Sequence, residues 1–216
     1  MTNILFTIRN TLISVPGIVV GLSFHEFAHA WVATLCGDRT PEDQGRVTLN
    51  PLVHFDIIGL ISLLLVGFGW GRPVVVDPRN FKKRRRDSIF VGLAGVVMNF
   101  CMALLFAFII RLLCQFCPNL MYAGYDSSAL YEVLFSVVTI NISLMLFNLL
   151  PIPPLDGFGV ICDIFNIRDL KFIFNARRYG MPILILMVAF DIPSRVLTAP
   201  FVAIVNLVFN IAFIGL

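Results

Sequence analysis

The 216 residues are 58% hydrophobic and only 13% charged, with a formal net charge of +3 and a mean hydropathy of +0.90. A soluble domain carries about 25% charged residues, so a water-soluble globule is excluded and lipid is the solvent this composition requires. The five cysteines (Cys36, Cys101, Cys114, Cys117, Cys162) are too scattered for a disulfide framework, and Cys114 and Cys117 read as apolar helix-end residues rather than a redox or metal pair.

The start, Met1–Arg9, lacks the strong basic region of a cleavable signal and reads as the lead-in to a retained membrane helix. The first apolar stretch, residues 11–35, contains His25-Glu26-Phe27-Ala28-His29. Positions four apart share a helix face, so both imidazoles can bind one metal ion with Glu26 beside it as general base. Ionisable groups inside a membrane helix are costly, which favours a functional reading over a merely satisfied polar cluster. Next, Gly45-Arg-Val-Thr-Leu49 and Pro73-Val-Val-Val-Asp77 are β-branched runs bounded by turn residues, expected as short strands that pair into a small cytoplasmic sheet. Between them, residues 52–70 are apolar but hold His54, Asp56, Gly59, Gly67 and Gly69. Further apolar stretches span 88–114, 129–150 and 179–216, the last broken into two helices near Asp191, Pro193 and Arg195.

The basic residues sort by loop. Thirteen of the sixteen lie in 36–51 (Arg39, Arg46), in 71–87 (Arg72, Arg79, Lys82, Lys83, Arg84, Arg85, Arg86) and in 158–178 (Arg168, Lys171, Arg177, Arg178). The positive-inside rule places all three loops in the cytoplasm. A single crossing by 52–70 would put its two flanking loops on opposite sides, so this stretch is expected to re-enter or to lie along the interface. The run Lys82–Arg86 fits anionic lipid rather than nucleic acid. The expected architecture is an all-α polytopic membrane protein. It has about five to six membrane helices, a small cytoplasmic β-sheet and a re-entrant segment, in one domain over 1–216 with its core at roughly 11–165.

Zinc needs a third protein ligand and an open position for water. The remaining donors are His54, Asp56, Asp156, Glu42 and Asp43. Asp156 is the strongest, because Pro151, Pro153 and Pro154 break the helix end before it, and a carboxylate there faces protein or water. Asn148 is a candidate oxyanion donor, and His54 could line the site or touch substrate, although an interfacial polar role suits it better. If the His25–His29 motif serves peptide-bond hydrolysis, a helical substrate must be unwound before its backbone can be cut. The segments containing Arg46, Val47 and Thr48, or Val74 and Val75, could supply a strand edge for the freed backbone.

The pairing of His25-Glu26-Phe-Ala-His29 with the distant Asn148-Leu-Leu-Pro-Ile-Pro-Pro-Leu-Asp-Gly157 resembles the site-2 protease family of intramembrane zinc metalloproteases, in its compact subgroup without a PDZ domain. The tracts Gly45–Gly59 and Gly71–Phe81 resemble that subgroup too, and the resemblance covers roughly 15–165. It implies one zinc ion per chain held by His25, His29 and Asp156, with Glu26 as catalytic base. A membrane-protein substrate follows from that chemistry, while composition points to a lipid bilayer environment without nucleic acid, the short single-domain form to a multi-pass protein of a prokaryotic plasma membrane, and the basic loops to an active site toward the cytoplasm. Where the family's third helix opens with Ala-Gly-Pro, this chain has Ala94-Gly95-Val96, which leaves a bend there in question. The competing class is a non-proteolytic metal-binding membrane protein, such as a divalent-metal transporter or scaffold. Paired intramembrane carboxylates or an internal repeat would favour it, and neither is visible.

Overall fold

The computed structural model describes residues 2–66, 69–123, 126–167 and 171–214. Helix α1 runs from Thr2 to Cys36 and ends where Gly37 takes φ +111°. The one-turn helix α2 (Thr40–Asp43) and a 3₁₀ turn (Pro51–Val53) lead to α3 (Ile57–Val66), and a second 3₁₀ turn (Pro78–Asn80) precedes α4 (Arg84–Phe116). Then come α5 (Pro118–Met121), a hairpin of β1 (Tyr122–Ala123) and β2 (Asp126–Ser127), α6 (Ala129–Asn148), α7 (Asp156–Ile164), α8 (Lys171–Ala189) and α9 (Ile192–Ala212). Five helices, α1, α4, α6, α8 and α9, are long and apolar enough to cross a bilayer. The break expected near Asp191 falls between α8 and α9, where Asp191 takes φ +57° and Pro193 sits in the first turn of α9.

Helices α1, α4 and α6 form the central bundle. Ala103, Ala107, Ile110, Val138 and Ile142 are essentially inaccessible and pack with Val208 and Ala212 of α9. Small residues let the backbones approach: a Cβ on Gly17 would lie 3.0 Å from the Ser136 carbonyl oxygen. Buried Asn99 ties α4 to α1: with its amide oriented to donate, the nitrogen lies 3.2 Å from the carbonyls of both Gly21 and Gly95. The missing family proline costs nothing visible. Helix α4 runs unbroken through Val96, which joins the same apolar core.

The stretch 52–70 holds no helix of spanning length among the described residues. Helix α3 has 10 residues, about 15 Å of rise, half of a bilayer core. Its two flanks meet: Phe55 bridges Gly71, and the Arg72 N–H donates to the His54 carbonyl at 2.8 Å.

The paired strands expected at 45–49 and 73–77 are absent among the described residues, where the only ladder is the β1–β2 hairpin. Several of the N–H groups that a ladder would use are engaged elsewhere. Arg46 donates to the Pro41 carbonyl and Thr48 to the Arg46 carbonyl, which curls the first segment. In the second, Pro73 has no N–H, and those of Val74 and Asp77 go to the side chains of Glu26 and Asp38.

Candidate metal centre

His25 and His29 lie one turn apart on α1, buried to 4% and 8% exposure. From the opposite side comes Asp156. Helix α6 stops at Asn148, the prolines carry the chain through a tight turn, and Asp156 opens α7, where a carboxylate complements the helix dipole. The Nε2 atoms of His25 and His29 are 3.0 Å apart, and the Asp156 Oδ2 is 3.1 and 3.2 Å from them. Ligands about 2.0–2.1 Å from a tetrahedral zinc are separated by about 3.3 Å, so this near-equilateral triangle fits that ion and leaves a fourth position open. The group is the one constellation of three His, Cys or carboxylate donors found among the described residues.

The surroundings orient the donors. Val91 of α4 offers its carbonyl to His29 Nδ1 at 2.7 Å, which leaves Nε2 free for a metal. Glu26 accepts the Val74 N–H at 3.0 Å, so the catalytic candidate is held by backbone from a segment 48 residues away. A cavity of about 490 Å³ adjoins these groups, lined by Glu26, His29 and Asp156 and otherwise mainly by apolar residues such as Val74, Phe81 and Pro153.

Two further residues escaped the sequence reading. Gly95 faces the imidazoles so closely that a Cβ there would lie 2.5 Å from His25 Nδ1 and 2.6 Å from His29 Nε2. Small residues in a membrane helix signal close backbone approach, and α4 carries Gly92 and Gly95 one turn apart. Gly95→Ala is expected to displace both imidazoles and lower zinc affinity by about 10–100-fold, comparable to loss of an outer-shell partner. Zinc competition against a calibrated chelator measures it, and unchanged affinity would mean that the bundle widens at no cost to the site. The second residue, Asp38, had no local signal beyond a polar turn after a helix.

Several expected site residues lie elsewhere. Arg46, expected on a substrate-facing edge, is 5% exposed, and its guanidinium donates to the carbonyls of Val53 and, at 3.4 Å, Arg72. Val47 and Thr48 do not line the cavity, and the Thr48 carbonyl instead accepts from His54 Nε2 at 2.8 Å. His54 is fully buried in that loop and is not part of the donor triangle. Asn148 donates its amide to the Leu144 carbonyl at 3.0 Å, one turn back in its own helix. Val74 lines the cavity, whereas the Val75 side chain is exposed away from it.

Comparison with known proteins gives concordant matches. Residues 120–190 match the model of peptidase family M50. A Bacillus subtilis (strain 168) protein named "Putative zinc metalloprotease YwhC" is 38% identical over 181 residues, 83% of this chain and 81% of that protein. Rip2 of Mycolicibacterium smegmatis, described in the same words, is 28% identical over 82% of this chain and 66% of its own length. Rip2 of Mycobacterium tuberculosis is 31% identical over 68% of this chain and 55% of its own length. No solved structure matches the chain.

Proposed function

Given that this chain belongs to peptidase family M50, the site-2 protease family of intramembrane zinc metalloproteases, we propose that it hydrolyses peptide bonds of membrane-embedded polypeptides with His25, His29 and Asp156 as zinc ligands and Glu26 as general base. The observation that carries this assignment is the convergence of the three donors within 4.8 Å, with Glu26 beside His25 on the same helix. Bound zinc supplies Lewis acidity, lowering the pKa of water and polarising a carbonyl. Glu26 takes a proton from the attacking water and returns it to the leaving amine. The Val74 N–H, bonded to its carboxylate, keeps that group directed into the cavity. Cleavage of reconstituted transmembrane peptides by wild type beside Glu26→Gln is the test.

The substrate backbone docks along Pro73–Val76. This segment lines the cavity with Pro73, Val74 and Val76, and among the described residues the backbone of Val75 and Val76 has no hydrogen-bond partner. Unpaired N–H and C=O groups beside a catalytic carboxylate suit β-addition of an unwound chain. The Arg46–Thr48 half of the expected edge has no part in this.

Residues 52–70 enter the bilayer and return, with loops 36–51, 71–87 and 158–178 in the cytoplasm of a prokaryotic plasma membrane and the active site on that side. The shortness of α3 and the bond between Arg72 and His54 support this. Single cysteines at positions 44 and 80, in a background without native cysteines, should both be labelled by an impermeant maleimide only in inside-out vesicles. Labelling from opposite sides would convert 52–70 into a crossing segment.

A further inference from the structure

The segment that lines the site is fastened at both ends by buried polar groups. At its start, Arg72 is held by the His54 carbonyl and the Arg46 guanidinium. At its far end stands Asp38, fully buried just beyond α1. Its Oδ2 accepts the Asp77 N–H at 2.7 Å, and its Oδ1 accepts the Asn80 amide at 2.8 Å, the Thr40 hydroxyl at 2.6 Å and the Thr40 N–H at 3.1 Å. Four donors on one carboxylate make it the junction between the helix that carries His25, Glu26 and His29 and the segment that carries Val74. Burial alone would raise the carboxyl's pKa, but the bonds from Asn80, Thr40 and Asp77 outweigh it and hold the group below the usual carboxylate range.

We infer that Asp38 is a positioning residue for proteolysis: by fastening Asp77 and Asn80 to the end of α1, it sets the height of the Val74–Val76 backbone beside Glu26 and so the binding of the unwound substrate. Asp38 touches neither substrate nor metal. The inference rests on the proposed docking of substrate along this segment, and its two oxygens allow the two functions to be separated. In Asp38→Asn the amide keeps one acceptor for Thr40 and Asn80 but presents N–H groups to the Asp77 N–H, so the link to Asp77 breaks selectively. Asn80→Ala removes the second link from the other side. Thr40→Ala removes only a bond on the α2 side.

The experiment uses the full chain with zinc in nanodiscs. Hydrogen exchange of the two hydrogen-bonded amides of the segment, Val74 and Asp77, is expected to quicken about tenfold in Asp38→Asn and Asn80→Ala while α1 stays protected, with Thr40→Ala near wild type. In the same preparations, KM for a single-span transmembrane peptide cut by the wild type should rise about tenfold, with kcat and zinc stoichiometry changed less than twofold. Unchanged exchange in both strap variants overturns the anchor, whatever the peptidase activity. Faster exchange with an unchanged KM overturns its coupling to substrate. A kcat loss shared equally by all three variants would mark a general structural role and also overturn it. Absence of wild-type cleavage is a different result: it rejects the protease reading, and with it this coupling, while exchange alone decides the anchor.

Discussion

Glu26→Gln is expected to retain zinc and the fold while losing peptide-bond cleavage by about 10²–10⁴-fold. A carboxylate can accept a proton from water and later donate one to the amine, and an amide can do neither. The substitution is nearly isosteric, and the Gln carbonyl can still accept the Val74 N–H that now bonds Glu26 Oε2. The exchange also removes an ionisable group from a membrane helix, so stability should not fall. Cleavage of a reconstituted transmembrane peptide is measured for wild type, variant and chelator-treated enzyme side by side. A variant that cuts at the wild-type rate would remove Glu26 from the chemistry and revive a purely metal-binding role for the site.

Asp156→Ala should lower zinc affinity by more than about 100-fold, beyond the 10–100-fold typical for loss of an outer-shell partner. The structure offers no replacement among the described residues: Asp156 completes the only donor triangle, and His54 is buried with its Nε2 committed to the Thr48 carbonyl. The cost to folding is small by comparison, because a carboxylate in the first turn of a helix contributes only about 0.3–1 kcal/mol. Metal analysis after equilibration with a graded chelator, together with a thermal melt, separates the two effects. Undiminished zinc binding would reject Asp156 as a ligand, and loss of the fold in parallel would show that the turn, rather than the ion, depends on it.

The features legible in the sequence are those with a local period or a local break. The His25–His29 spacing fixes a shared helix face, and Asp191 with Pro193 marks the division between α8 and α9. The proline run before Asp156 also signals its own turn. The segments 45–49 and 73–77 were misleading because β-branched composition reports only what a backbone would prefer if its N–H groups were free. Here two in the second segment are taken by carboxylates distant in sequence, Glu26 for Val74 and Asp38 for Asp77, and two in the first curl back onto the carbonyls of Pro41 and Arg46. Arg46 misled for a related reason: its place in a β-branched run suggests a strand edge, but its guanidinium satisfies carbonyls at a chain crossing that no local pattern announces. Gly95 could have been read as a point of close approach, but the identity of the neighbour it makes room for follows only from the packing of α4 on α1.

The cavity bounded by Glu26, Val74 and Pro153 also bears on supply of the second reactant. Hydrolysis consumes one water per bond, and hydrocarbon holds almost none. A volume of about 490 Å³ corresponds to on the order of a dozen water molecules at liquid density. The cavity is partly open, and its lining extends to Pro78, Ser88 and Arg177 beside the basic segments. An unwound substrate segment seated along Val74–Val76 would therefore displace part of this water without sealing off the rest, and water for successive cuts can be replenished past the docked chain.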